Sequence, residues 1–70
     1  MEYIVVRYPD SRTVYIDGED NGFTGDTLRV EEGTHTINLG DPRDYAPKWR
    51  RPVVTDTSAR QPMIIEFEPL

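Results

Sequence analysis

The segment 17–22, which reads Asp-Gly-Glu-Asp-Asn-Gly, is the first part of this sequence whose residue types could bind a metal ion. It begins as a calcium loop does, with oxygen ligands at positions 1, 3 and 5 and glycine at position 6. Position 12 of such a loop supplies a bidentate glutamate, but here it is Leu28. The segment also lies between predicted strands, whereas helices flank a calcium loop. The sequence therefore favours a hydrophilic turn, and we predict no metal or other cofactor.

His35 is the only histidine, and the chain has no cysteine. A nucleophile–base pair or a zinc site needs a second member of this kind, so His35 alone indicates neither. We predict that it packs at the start of a strand with one ring nitrogen bonded to a neighbouring turn. The alternative is a pH-sensitive contact, since histidine titrates near neutral pH.

The acidic side chains Glu66 and Glu68 fall on one face of the last predicted strand. A carboxyl group needs an apolar surround to act as a general acid, and the sequence provides none at these positions. We expect both to face water and to keep an edge strand from pairing with another chain. With no catalytic residue assignable, the chain is predicted not to be an enzyme.

The segment 45–51 gathers aromatic and cationic residues beside a proline, and it is the candidate interaction patch. Tryptophan, tyrosine and arginine dominate binding hot spots. In the other interpretation, the aromatic rings cap the core while the cations cover them or pair with Asp41 and Asp44. The residues of this cationic aromatic patch are Tyr45, Lys48, Trp49, Arg50 and Arg51.

The elements that must position these residues are short runs of β-branched and aromatic residues, separated by glycine, proline, aspartate and asparagine. The alternation of apolar and polar residues predicts six strands, and the proline-containing segment 40–48 is predicted as a surface loop. The predicted strands cover 3–8, 13–17, 26–30, 35–39, 49–55 and 63–67. The third and fourth are expected to form a hairpin. This organisation is typical of a small antiparallel β-sandwich, hence of the all-β class.

The inward faces of these strands give a predicted core of eleven apolar side chains. In the first strand, the inward face is ambiguous because both faces carry apolar or aromatic residues, namely Tyr3, Ile4, Val5, Val6 and Tyr8. The predicted core consists of Val6, Val14, Ile16, Phe23, Leu28, Val30, Ile37, Leu39, Val53, Ile65 and Phe67.

Length and charge restrict the function further. Seventy residues suffice for one domain, predicted over 1–70. The net charge of -5 disfavours nucleic-acid binding, and the apolar runs are too short to span a membrane. Positive charge is concentrated in residues 43–60, with five basic and two acidic side chains. We expect a cytoplasmic location if the chain is complete, and none can be assigned if it is a piece of a larger surface protein.

The spacing of several short motifs between residues 14 and 45 resembles the PEGA family. In that family a strand ends in an Asp-Gly turn, and a corner then leads to the hairpin turn from which the family is named. Here Glu31 replaces the proline of that turn, Thr34 replaces its alanine, and Thr24-Gly25 stands for the usual Thr-Pro corner. The motifs are Val14-Tyr15-Ile16-Asp17-Gly18, Gly22-Phe23-Thr24, Leu28, Glu32-Gly33-Thr34-His35-Thr36-Ile37 and Tyr45. Asp17, Gly18, Gly22 and Gly33 are the predicted fold-determining turn residues, since tight turns favour positive φ.

The resemblance implies a β-sandwich module with a binding or scaffolding role and no reaction. We therefore predict a protein-interaction or scaffolding module that docks through a sheet edge or through the cationic aromatic patch. Its partner would be another protein or a second copy of the chain. The alternative is a carbohydrate-binding module in which Tyr45 and Trp49 stack on sugar rings.

Overall fold

The structure, a computed structural model, describes residues 1–70 and contains ten strands and no helix. No helix is therefore present that could cross a membrane. The strands at 2–7, 13–16, 27–30 and 63–66 coincide with runs rich in β-branched or aromatic residues. The strand at 19–23 does not, since it reads Glu-Asp-Asn-Gly-Phe. The ten strands are β1 (Glu2–Arg7), β2 (Thr13–Ile16), β3 (Glu19–Phe23), β4 (Thr27–Val30), β5 (Gly33–Thr34), β6 (Ile37–Asn38), β7 (Tyr45–Ala46), β8 (Val53–Val54), β9 (Met63–Glu66) and β10 (Glu68–Pro69). The predicted all-β class is confirmed.

The first three-stranded sheet has the order β4-β1-β9. β1 pairs antiparallel with β4 and parallel with β9, so the first strand of the chain lies between two strands from later in the sequence. The parallel pair departs from the predicted all-antiparallel arrangement. The predicted hairpin of 26–30 with 35–39 is wrong, because β4 pairs with β1 whereas β6 pairs with β2.

The second three-stranded sheet has the order β3-β2-β6. β2 and β3 form a hairpin whose two turn residues, Asp17 and Gly18, have φ of 53° and 84°. Positive φ at both central residues fits a type I′ turn, whose twist matches that of the paired strands. An isolated bridge joins Ile37 of β6 to Arg50, and β5 pairs with β8. The segment 50–54 therefore runs antiparallel to 33–37 along the side of this sheet.

A single hydrophobic cluster of twelve buried residues joins the two sheets. Nine of the eleven predicted core residues belong to it, whereas Phe23 and Val53 are 53% and 61% exposed. Phe23 faces outward because it pairs with Thr13 across an irregular register, on the face opposite the buried Val14. The cluster consists of Ile4, Val6, Val14, Ile16, Leu28, Val30, Ile37, Leu39, Tyr45, Val54, Ile65 and Phe67.

The predicted surface loop 40–48 contains a strand, because β7 pairs antiparallel with β10 at the C-terminus. This pairing places Tyr45 in the core, where its ring makes edge contacts with Phe67 and Tyr8 at centroid distances of 5.5 and 6.3 Å. Edge-to-face contacts of this kind add to the stability that burial provides. The expectation of an unstructured loop at Tyr45 is therefore corrected.

Candidate functional site

The cationic aromatic patch is divided between two grooves. Tyr45, Lys48 and Trp49 line the first, and Arg50 and Arg51 line the second. We call the first the Trp49 groove; it is lined by Thr36, Asn38, Gly40, Asp41, Arg43, Tyr45, Lys48 and Trp49. We call the second the β9 groove; it is lined by Arg50, Arg51, Pro52, Met63, Ile64, Ile65 and Glu66. The segment 48–51 thus connects two adjacent concave surfaces.

Trp49 is 54% exposed, whereas Tyr45 is buried. The interpretation of both rings as caps of the core is therefore wrong for Trp49 and correct for Tyr45. The Tyr45 hydroxyl accepts a hydrogen bond from the Leu39 N–H (3.2 Å) and donates one to the Gly40 carbonyl (3.0 Å). With its ring in the core and its hydroxyl committed, Tyr45 has no free face on which a sugar could stack.

Arg12 covers the aromatic residues beside this segment, and sequence reasoning missed it. Its guanidinium carbon lies 5.4 Å from the Tyr45 ring centroid and 5.8 Å from that of Tyr8. The guanidinium also donates to the Asp44 carboxylate (2.6 Å) and to the Pro42 carbonyl (2.8 Å). The Asp44 hydrogen bond raises the pKa of Arg12, and the same bond lowers the pKa of Asp44. Asp44 is thus paired with Arg12 and not with a cation of the patch.

Arg50 and Arg51 are anchored by hydrogen bonds to uncharged oxygens. The Arg50 Nε donates to the Glu66 carbonyl (3.1 Å), and the Arg51 Nε donates to the Thr36 hydroxyl (3.1 Å). Neither guanidinium lies within 4.0 Å of a carboxylate, since the ion pairs of the protein involve Arg7, Arg12 and His35. Two oriented cations therefore face solvent outside any ion pair, although Arg51 acts at longer range on the Asp17 carboxylate.

All four residues predicted to determine turns have left-handed backbones, but only Asp17 and Gly18 lie in a turn, whereas Gly22 lies in β3 and Gly33 in β5. φ is 105° at Gly22 and 129° at Gly33, in addition to the values at Asp17 and Gly18. A Cβ at Gly22 would also lie 2.8 Å from the Leu28 side chain. The segment 17–22 is predicted as a hydrophilic turn, but β3 begins at Glu19 and takes up most of it. No group of three or more histidine, cysteine, aspartate or glutamate side chains is placed to hold a metal ion.

His35 bonds to two turns. Its Nδ1 lies 2.7 Å from a carboxylate oxygen of Asp17, and its Nε2 lies 2.6 Å from the carbonyl oxygen of Glu31. These bonds, first that to Asp17 and then that to Glu31, raise the pKa of His35. The pKa of Asp17 is lowered by the hydrogen bond from the Thr36 N–H (2.9 Å) and by that from His35. The predicted contact of His35 with a neighbouring turn is confirmed.

Glu66 and Glu68 are both exposed, as expected. The Glu66 carboxylate lies 3.8 Å from the Arg7 guanidinium, and both side chains of this pair are more than half exposed. Water screens such a pair. Because both glutamates are exposed to water, neither has the apolar surround that a general acid needs.

Comparison with known proteins gives one match, a family model for the PEGA domain that covers residues 2–51. No curated protein and no solved structure matches the chain. The matched region extends beyond the 14–45 pattern, and it includes β1 and the segment 48–51 of the cationic aromatic patch. β8, β9 and β10 lie outside it. Since the matched region comprises more than half of the chain, this protein belongs to the PEGA domain family.

Proposed function

We propose that this PEGA domain is a non-catalytic module that binds another protein and so serves as an interaction or scaffolding unit, with Trp49 as its anchor. The observation that carries the proposal is that Trp49 is exposed, although the fold buries twelve other hydrophobic residues, Tyr45 among them. Tryptophan is the largest apolar side chain and is enriched among residues that dominate binding. An exposed tryptophan on a small domain therefore favours a surface that a partner covers.

The charges around Trp49 indicate the kind of protein that would bind. Lys48, Arg50 and Arg51 flank the ring in sequence, and none of them is in an ion pair. The chain as a whole is acidic, with a net charge of -5. Complementary charge speeds association and selects partners, so we expect carboxylates on the partner surface.

The surroundings of His35 and Glu66, the best candidates for a catalytic group, support a non-catalytic module. Both ring nitrogens of His35 are hydrogen-bonded, which leaves no free nitrogen to accept a proton from a substrate. Glu66 is exposed to solvent and lies near Arg7, so it lacks the apolar surround that a general acid needs.

A second candidate function is glycan binding, and the lining of the Trp49 groove favours it. The side chains of Thr36, Asn38 and Asp41 surround the exposed ring with a hydroxyl, an amide and a carboxylate. Such groups can bond sugar hydroxyls while the indole face stacks on the ring. The stacking would fall to Trp49 alone, because Tyr45 is buried.

Substitution of Trp49 tests the proposal. A partner captured with the wild-type protein would be purified and its affinity measured by calorimetry for Trp49→Ala and for the control Phe23→Ala. Phe23 is as exposed as Trp49 but lies on β3, outside both grooves. We expect Trp49→Ala to weaken binding at least tenfold, which corresponds to about 1.4 kcal/mol, and Phe23→Ala to leave it unchanged. Equal affinities for all three proteins would contradict the proposal.

Intrinsic fluorescence distinguishes the two candidate functions, since Trp49 is the only tryptophan. Under the protein-binding proposal, titration with a panel of oligosaccharides leaves the emission unchanged, whereas the purified protein partner shifts it. A saturable shift with one sugar class, together with loss of that sugar's binding to Trp49→Ala in calorimetry, would establish glycan binding instead.

A further inference from the structure

β9 has one paired edge and one free edge. The N–H of Phe67 donates to the Arg7 carbonyl on β1 (3.0 Å), and β9 pairs with β1 in parallel. Backbone groups of a strand point alternately to its two sides. The N–H and C=O groups of Ile64 and Glu66 therefore point away from β1. The hydrogen bond from the Arg50 side chain to the Glu66 carbonyl agrees with this direction.

The opposite wall of the β9 groove is also a strand edge. Arg50 and Ile37 exchange two backbone hydrogen bonds (2.7 and 2.8 Å), and the Pro52 carbonyl accepts from His35 (3.2 Å). By the same alternation, the backbone groups of Arg51 point away from this partner strand. The β9 groove thus lies between two edges that the fold leaves unpaired, with Arg50 spanning it through its bond to Glu66.

We propose that an extended acidic segment of a partner protein adds to the free edge of β9, inside the β9 groove. This inference rests on the proposed function and specifies how the partner binds. The segment would bond the N–H and C=O of Ile64 and the N–H of Glu66, as in other cases of strand addition. Its carboxylates would replace the Glu66 carbonyl as the acceptor for Arg50, since a charged acceptor forms the stronger hydrogen bond.

The acidic character of the segment follows from the charges of the β9 groove. Arg50 and Arg51 contribute two unpaired cations, while the single carboxylate, that of Glu66, lies beside Arg7. Ile64 is 43% exposed and provides an apolar contact between these charges. A second copy of the chain would fit poorly, because a symmetric pair of β9 edges brings the same cations face to face.

Two capped peptides of about six residues, the usual length of a strand, test the inference. One alternates glutamate with valine, and the matched control alternates lysine with valine. We expect the glutamate peptide to bind the wild-type protein at least tenfold more tightly than the lysine peptide by NMR titration. In the complex, hydrogen exchange at the amides of Ile64 and Glu66 should slow, because both become donors to the added strand.

The variant Ile64→Pro removes the outward N–H that the added strand needs. The Ile64 N–H points away from β1, so proline is acceptable there as on other edge strands. The control Ile64→Thr keeps the N–H and a β-branched side chain. We expect Ile64→Pro to weaken binding of the glutamate peptide at least tenfold and Ile64→Thr to retain it. The exchange measurement on the wild-type protein tests the same point without depending on the folding of either variant.

Several outcomes would overturn strand addition. If Arg50→Glu/Arg51→Glu abolishes binding of the glutamate peptide while Ile64→Pro and the amide exchange do not respond, the partner is held by side chains alone, and the proposed function stands. Equal binding of both peptides, or binding of neither, would refute the acidic strand. A wild-type dimer in light scattering that Ile64→Pro dissociates would assign the edge to a second copy. The proposed function itself fails only in the Trp49→Ala comparison.

Discussion

At the scale of single residues, the hydrogen bonds of His35 require a doubly protonated ring. The Glu31 carbonyl and the Asp17 carboxylate can only accept hydrogen bonds, so Nε2 and Nδ1 must both carry hydrogen. The charged imidazolium then forms an ion pair with Asp17, whose carboxylate also fixes the Thr36 N–H across the turn. Protonation of one side chain thus stabilises the junction of two turns.

This arrangement predicts a pH dependence of stability. The pKa of His35 is raised in the fold, so its contribution is complete below the ordinary value of 6.5 and is lost as pH rises through the elevated pKa. The pKa of Asp17 is lowered, so its contribution is present above 3.8 and is lost as pH falls through the depressed pKa. We expect the pair to stabilise the protein most between these two values. NMR titration of the single histidine and urea unfolding at pH 5.5 and pH 9 check the His35 statement, and urea unfolding at pH 2.5 compared with pH 5.5 checks the Asp17 statement.

Asp17→Asn is the control for this prediction, because asparagine tolerates the positive φ of 53° and its carbonyl can still accept from Thr36. We expect His35 to titrate at lower pH in this variant, and the stability gained on acidification from pH 9 to be smaller. A wild-type His35 that titrates at or below 6.5 would contradict the charged pair.

Other residues could not be predicted because their role depends on distant neighbours. Gly40 has φ of 69°, and a Cβ there would lie 2.5 Å from the Tyr15 ring, twenty-five residues earlier in the chain. Arg12 reaches Asp44 and the Tyr45 ring by the same kind of long-range packing. His35 and the exposed Trp49 were identified because their types are rare in this sequence, whereas nothing local distinguishes Arg12 from the other arginines.

At the scale of elements, the alternation of apolar and polar residues predicted most strands but not which strands pair with each other. The runs containing Val14 and Leu28 have one apolar face each, and that face is buried. The pairing of β1 with β9 joins residues almost sixty positions apart, which no local pattern encodes. Where two adjacent residues are equally apolar, as at Val53 and Val54, alternation cannot choose the inward one, and the pairing of β8 with β5 decides it.

The register of β8 can be tested with a matched pair of substitutions. Val54 is fully buried, whereas Val53 is exposed. Val54→Ala removes two buried carbon groups and leaves a cavity, so we expect it to lower the free energy of unfolding by about 2 kcal/mol. Val53→Ala should change it by less than about 0.5 kcal/mol. Urea denaturation followed by far-ultraviolet circular dichroism measures both, and a larger effect at Val53 would place the register one residue away.

At the scale of the whole molecule, the order of strands ties the end of the chain to its beginning. β1 lies between β4 and β9, and β7 pairs with β10. The last two strands, β9 and β10, therefore complete sheets whose other strands come from earlier in the chain. The family match ends at residue 51, before β8, β9 and β10. The region beyond the family match therefore supplies both core residues and most of one groove.

A chain shortened to residues 1–51 tests how far the matched region is stable alone. The truncation removes Val54, Ile65 and Phe67 from the twelve-residue core and leaves one edge of β1 unpaired. Burial of three such side chains contributes about 5 to 9 kcal/mol, comparable with the whole stability of about 4 to 10 kcal/mol expected at this length. We therefore expect 1–51 to show no dispersed NMR amide spectrum and no cooperative urea transition. The control chain 1–67 loses β10 and its pairing with β7 but keeps all twelve core residues, so we expect it to remain folded. A folded 1–51 would mean that β9 is not required to complete the core.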